Sequence, residues 1–462
     1  MPIERIAGGE AINRLRTEGR RVRWPDQREP ERRMDGLVTV TSKPGFQIRP
    51  GDRIFTMGSC FARNIERRLA EIGFATVMYD EGLLEELQAL GHDLGYMNKY
   101  NSASIRAEMG WALGTPRPPE EHVVLPLGEG AHDLFAYPGT KFVQSTDNVR
   151  AARRIIESRA ARIRDCRIVI LTLGLAEVWY DSVSGLHINA APPKSAIAAE
   201  PDRFFLDVYS YEEIVADLEA IHQLLQSHGH PDVHMLITVS PVPMSMTFRA
   251  LDAMAANGYS KAVQRAAIEA FVCAHGNVDY FPSFEPITLT DRRISFEVDN
   301  RHVQPGIVSQ IVDRFMGIYA PDAQFELSAE PLRESAPATA KDLAVAGKLH
   351  QEQRKFNAAI DFYSRAIESH GDGSLEASKL TVPHLRAKLA GCLYKADRLD
   401  DARGTLVAVM SDSDSSPRDL MAVARLAEII GAESLKQEAL DRLGATEVTQ
   451  KIRVPAERKR AS

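Results

Sequence analysis

The chain of 462 residues is poor in cysteine. Its four cysteines, Cys60, Cys166, Cys273 and Cys392, are far apart and form no CxxC pair. That argues against a zinc site or a disulfide framework and points to a reducing, cytoplasmic setting. No run of about 18 apolar residues occurs, so no membrane span is expected. The opening stretch MPIERIAGGEAINRLRTEGRRVRW carries charges where the apolar centre of a secretory leader would lie. Positive charge is not in excess. The net charge is −7, which disfavours general binding to nucleic acid or to an anionic membrane. There is no GxxxxGKS/T or GxGxxG phosphate loop and no HExxH, and the histidines are scattered. No cofactor and no metal are expected.

What is present is ordinary for a globular protein, with 44% hydrophobic and 26% charged residues. The length calls for more than one core. Residues 1–50 are polar, with an Arg-rich stretch, and read as an arm that packs on the main domain, reaches a partner or is merely solvated. From residue 51 apolar strands alternate with helical patterns. Strands are expected at Arg53–Met57, Phe74–Tyr79, Ile168–Leu173, Met235–Val239 and Val278–Phe281. Helices are expected from Phe61 to Ile72 and over Tyr211–Gln226, Ser260–Ala274 and Pro305–Tyr319. Continuously apolar strands separated by helices predict a mostly parallel sheet covered on both faces.

Residues 321–340 are rich in Pro, Ala, Glu and Ser and read as a linker. Residues 341–445 read as helices throughout, and 446–462 as a basic tail. Within the helical stretch, Gly347 recurs in role as Gly391, and the spacing Phe356…Ala359 recurs as Leu399…Ala402. This resembles tetratricopeptide repeats, where small residues let paired helices approach closely. A plain helical bundle is the alternative.

Candidate chemistry lies at strand ends. Gly58-Ser59-Cys60 stands between a strand and a helix. Ser59 is either a nucleophile, with its own N–H facing a developing oxyanion, or a helix N-cap. Asp299-Asn-Arg-His302 precedes the last helix of the domain. An Asp at that spacing can accept from imidazole Nδ1 and leave Nε2 free to take a hydroxyl proton. Cys60, inside the first helical turn, reads as a small hydrophobe rather than a nucleophile. Glu177 and Trp179 follow a strand and line a pocket or the core. Ser240, opening the stiff Ser-Pro-Val-Pro loop, contacts substrate or only turns the chain. Ser260 reads as a helix cap, with Lys261 opening that helix.

The stretch FTMGSCFARNIERRLAEIGF resembles the GSCFA family. So do residues 98–105, 170–181, 238–248, 259–267, 279–285 and 298–308, and the resemblance covers roughly 40–320. That family is similar to the GDSL-type (SGNH) esterases and lipases. The resemblance implies a three-layer α/β/α, flavodoxin-like domain over 51–320 with Ser59, Asp299 and His302 as a catalytic triad. It also implies an oxyanion-donating Asn where this chain has Ala176. Asn101 and Asn98 are the replacement candidates, with loop capping as their alternative role, and Gly174 offers a backbone N–H. The expected activity is acyl-ester hydrolysis, with an acetylated carbohydrate as substrate. O-acyl transfer in polysaccharide biosynthesis and a non-catalytic scaffold with a vestigial hydrolase domain are the alternatives. A protein partner is expected for the helical tail.

Overall fold

The computed structural model describes residues 2–26, 31–137, 144–322 and 339–444, apart from 353, 355, 373, 378 and 379. The basic tail and most of the linker lie outside the described residues. The chain divides into two compact units, Met1–Ser335 and Ala336–Ser462.

The first unit is built on five parallel strands: β1 (Arg53–Gly58), β2 (Ala75–Thr76), β3 (Ile168–Leu173), β4 (His234–Val239) and β5 (Val278–Tyr280). Their order is β5-β4-β3-β1-β2. Read from the other edge this is 2-1-3-4-5, the doubly wound order of flavodoxin-like sheets. Side chains alternate between two cores. Phe55, Met57, Val169, Leu171, Met235 and Ile237 join one, and Ile54, Ile168, Ile170 and Leu236 the other. Both faces are buried, which explains why the strands are apolar without interruption.

Six longer helices cover the sheet: α1 (Cys60–Glu71), α2 (Ser102–Leu113), α3 (Thr146–Ala160), α4 (Tyr211–His228), α5 (Ala253–Ala274) and α6 (Pro305–Tyr319). α2, α3, α4 and α5 pack on the first face, and α1 and α6 on the second. Leu37, Phe46 and Ile48 also enter the second core, and the Ile48 N–H bonds Tyr319 O at 2.7 Å. The helix Gly8–Thr17 buries no side chain. Two small antiparallel sheets flank the main one, at residues 124–145 and 177–208.

Two details differ from the sequence reading. The strand expected over Phe74–Tyr79 pairs only at Ala75–Thr76, because it is an edge strand with a single neighbour. α5 begins seven residues before Ser260, with Asp252 accepting from Met254 N. Asn257 and Gly258 in its first turns read as loop in the sequence. Ser260 is therefore interior and buried, not a cap.

The second unit is all helical. It holds α7 (Ala340–Glu352), α8 (Phe356–Glu368), α9 (Val382–Lys395), α10 (Leu399–Met410), α11 (Pro417–Ile429) and α12 (Glu433–Arg442), with the short helix Ser374–Ala377 between α8 and α9. Successive helices pack on one another, around cores of their own. Ala359 and Ala402 are both fully buried. A Cβ on Gly347 would lie 2.8 Å from the Tyr363 ring, so that approach needs a residue without a side chain. Gly391 has nothing within 4 Å of the same position. Its expected role in close packing is thus corrected: among the described residues, nothing approaches it there.

Candidate active site

β1 ends at Gly58 and α1 begins at Cys60, which leaves Ser59 in the N-cap position. Gly58 has φ +152°, and a Cβ there would lie 2.3 Å from Thr172 O. Only glycine fits so close to β3. Ser59 makes no capping bond. Its hydroxyl donates instead to Ser240 Oγ at 2.9 Å. Ser240 is the first residue after β4. Its N–H is held by Leu173 O at 2.8 Å, and its Oγ also accepts from Val242 N at 3.3 Å. The capping alternative for Ser59 therefore fails, and Ser240 is its partner. The Ser59 N–H reaches Thr172 O at a long 3.3 Å.

Phe296 and Val303 bridge to close a short loop ahead of α6. Asn300 at its tip has φ +56°, a conformation that Asn tolerates. This turn folds Asp299 onto His302. Asp299 Oδ2 lies 2.5 Å from His302 Nδ1, and Oδ1 accepts from the Arg301 and His302 N–H groups at 2.9 Å each. Burial alone would raise the Asp299 carboxyl, but those two N–H groups and the imidazole hold it below its ordinary value. The other ring nitrogen, Nε2, lies 3.3 Å from the Arg301 guanidinium, which can only donate. Nε2 is then the acceptor, and Nδ1 carries the proton towards Asp299. That is the tautomer a general base requires.

The charge of Arg301 acts on the Cys60 thiol and on the Tyr100 hydroxyl, so this loop lies on the side of the Ser59 turn. No hydrogen bond joins Ser59 to His302 among the described residues. Burial pushes the Cys60 thiol up, and Arg301 and Lys261 only partly offset this. A raised thiol is a poor nucleophile at neutral pH.

Residues 98–101 form a strap across the ends of β1 and β3. Lys99 N donates to Gly58 O and Leu175 N to Tyr100 O, both at 2.7 Å. A Cβ on Gly174 would lie 2.8 Å from Tyr100 O, so the strap also dictates glycine there. Beneath it, the buried Lys99 amine bonds Phe135 O and pairs with Glu108 at 2.8 Å.

Asn101 caps α2 by accepting from Ser104 N at 2.8 Å. Its amide donates to Ile188 O at 3.0 Å and to Asn189 O at 3.2 Å. Both amide hydrogens are spent on backbone carbonyls, which corrects the expectation that Asn101 turns one towards Ser59. The Asn98 amide donates to Tyr100 OH at 3.3 Å, and its buried Oδ1 has no partner among the described residues.

Around Gly174 the backbone is tied down. Gly174 O accepts from Lys261 Nζ at 2.7 Å, and Ala176 N donates to Ser260 Oγ at 2.8 Å. Thr172 turns its carbonyl towards β1, and strand alternation makes Gly174 face the same neighbour. No hydrogen bond among the described residues uses the Gly174 N–H. Glu177 accepts from Thr247 Oγ1 at 2.5 Å and from Phe248 N at 3.2 Å, and the Trp179 ring meets Phe248 edge-on. Both therefore fasten the loop after β4. Sequence reasoning missed Lys261. It stands three and seven residues before the buried Gln264 and Ile268, a helical stripe that would have marked it as inward-facing.

Glu297, Asp299 and His302 bring three donor atoms within 4.8 Å, a grouping the sequence reading did not foresee.

The model of the GSCFA family matches residues 53–315. No curated protein matched the chain. Among the described residues, no helix is long and apolar enough to cross a membrane.

Proposed function

We propose, from the premise that the chain belongs to the GSCFA family, that it is a serine hydrolase cleaving acyl esters through an acyl-Ser59 intermediate. One observation carries the reading. Ser59 occupies an N-cap position yet does not cap, and its hydroxyl rests on another hydroxyl at the carboxyl end of the sheet. In open α/β sheets this end is where ligands bind, at the point where strand order reverses. Here that point lies between β1 and β3, which carry Ser59 and Gly174 beyond their ends.

The chemistry runs in two halves. Ser59 turns from Ser240 towards His302 Nε2 and attacks the ester carbonyl carbon as its proton passes to Nε2. The carbonyl electron pair moves onto oxygen, where the Gly174 N–H receives it. Collapse expels the alcohol, which takes the proton from His302. Water then gives a proton to His302 as it attacks the acyl carbon, and collapse releases the acid while His302 returns the proton to the Ser59 oxygen. Asp299 keeps the imidazole in the required tautomer throughout. A sugar hydroxyl in place of water would make the same site an O-acyltransferase of polysaccharide biosynthesis. The family's likeness to GDSL-type enzymes favours an acetylated carbohydrate as substrate.

Ala176 in place of an amide donor favours a second reading, a vestigial hydrolase domain serving as scaffold. One experiment separates the two. The purified chain is offered p-nitrophenyl acetate and a fluorophosphonate probe, beside Ser59→Ala and His302→Ala variants. Turnover and labelling that depend on Ser59 support the enzyme; a wild type as inert as Ser59→Ala supports the scaffold.

The helical unit is proposed to stack as tetratricopeptide-like repeats and to bind a protein partner. A chain truncated after residue 336 should then keep most of its activity on a small soluble ester. The four free cysteines favour a reducing, cytoplasmic compartment.

A further inference from the structure

We propose that Lys261 is a positioning residue of this site: by holding the Gly174 carbonyl its amine fixes the 174–175 peptide, and together with Ser240 N, which holds the 173–174 peptide through Leu173 O, it keeps the Gly174 N–H facing the Ser59 side as the oxyanion donor. The inference rests on the reading of Ser59 as nucleophile and goes beyond it.

Four hydrogen bonds fix residues 173–176. Leu173 O accepts from Ser240 N, Gly174 O from Lys261 Nζ, Leu175 N donates to Tyr100 O, and Ala176 N donates to Ser260 Oγ. Every peptide plane around Gly174 is thereby set, and among the described residues its own N–H is the group left over. Two of the four clamps come from adjacent residues of α5. Ser260 is itself held by Gln264 Nε2, which bonds its carbonyl at 2.7 Å and its hydroxyl at 3.1 Å. Position 176, where an amide side chain would otherwise supply the donor, is the residue whose N–H Ser260 ties.

Lys261 is an expensive way to fill space. It is 3% exposed, and among the described residues its amine bonds a single carbonyl, with no carboxylate paired to it. A buried amine without a counter-ion is costly unless its hydrogen bond matters. The charge of the amine and the Cys60 thiol act on one another, so the amine lies on the side of the Ser59 turn. Burial lowers the Lys261 amine to about 7. Both the charged and the neutral amine donate, so the hold on Gly174 O persists across neutral pH.

The test uses the full chain as wild type, Lys261→Met, Lys261→Gln and Ser59→Ala. It measures kcat and KM on p-nitrophenyl acetate, the rate of Ser59 labelling by a fluorophosphonate, and the thermal midpoint. Methionine fills the volume without donating; glutamine donates without charge. Lys261→Met should lose about 10²-fold in kcat and in labelling rate, with KM within about twofold. Lys261→Gln should recover at least about tenfold of that loss. A Lys261→Met variant at full rate overturns the proposal. So does a Lys261→Gln variant as slow as Lys261→Met, because the lysine would then serve packing or charge rather than the carbonyl. A wild type without Ser59-dependent turnover or labelling overturns the hydrolase reading, and this inference with it.

Discussion

The strap at residues 98–101 and the Ser59 turn beneath it touch through the Lys99–Gly58 hydrogen bond, yet they use the same residue types in opposite ways. Each has a polar side chain at a helix start. Asn101 caps α2 and gives both amide hydrogens to carbonyls, whereas Ser59 leaves α1 uncapped. Each also has a buried lysine nearby. Lys99 is paired with Glu108, but among the described residues Lys261 bonds only the carbonyl of Gly174. In the strap, polar groups are mostly spent on holding the fold. In the turn, bonds that would stabilise the fold are forgone, and a cap of this kind contributes typically about 1 kcal/mol. A side chain that declines a bond within its reach is better evidence of chemistry than its residue type.

The comparison can be broken most decisively at Ser59. Ser59→Ala should abolish ester turnover, a loss of about 10⁶-fold. Its stability should change by about 1 kcal/mol or less, since one hydroxyl pair and no cap is lost. A large fall in thermal midpoint with turnover intact would return Ser59 to the class of Asn101. Asp299→Asn comes next. It keeps the turn's shape but permits the wrong imidazole tautomer, and kcat should drop by about 10⁴-fold. Unchanged kinetics would reduce the loop at 296–303 to a structural turn.

Asn101→Ala should do the reverse. It removes a cap and orphans two buried carbonyls, so denaturant titration should show a loss of about 2 kcal/mol or more. The rate per folded molecule should stay within about threefold. A selective loss of kcat without destabilisation would restore the amide to the chemistry.

The last test reads Lys261 through pH. The Lys261 amine sits at about 7 in the folded chain against 10.5 for an ordinary lysine. Between these values the unfolded chain binds the extra proton, so the contribution of Lys261 to stability rises with pH over that window. Below about 7 both states are protonated and the full cost of burying the charge is felt. The stability of wild type relative to Lys261→Met, measured from pH 6 to 10, should therefore drift in favour of the wild type. A flat difference would mean that the amine titrates as it does in the unfolded chain.

Much of this was readable beforehand where local signals agreed. The helix Pro305–Tyr319 has Pro in its first turn and Ile307, Ile311 and Phe315 on one stripe, and the structure returns the same limits. Apolar strands alternating with helices led directly to the parallel sheet. The turn at Ser59 was visible from a strand, a glycine and a helix in immediate succession. Other features depend on long-range geometry. Asn101 precedes an apolar helix, which is already a capping signature, but the expected need for an amide donor outweighed that signal. The partnership of Ser59 with Ser240 joins residues that follow different strands, and no local pattern encodes which loop will lie opposite. Gly391 matched Gly347 in spacing but not in surroundings, because only Gly347 has an aromatic ring pressed against it.

The tight crossing of Gly58 over Thr172 also bears on which substitutions the site can accumulate. With 2.3 Å between a would-be methyl group and a backbone oxygen, no rotamer change can relieve the clash, since the obstructing atom belongs to a central strand. The nucleophile candidate can be exchanged for alanine or cysteine without disturbing the chain path, and its neighbour cannot be exchanged at all. Drift should therefore erase the hydroxyl long before it erases the glycine. A descendant that has abandoned chemistry would still keep the bend, and the glycine alone would be a fossil of shape and not a sign of activity.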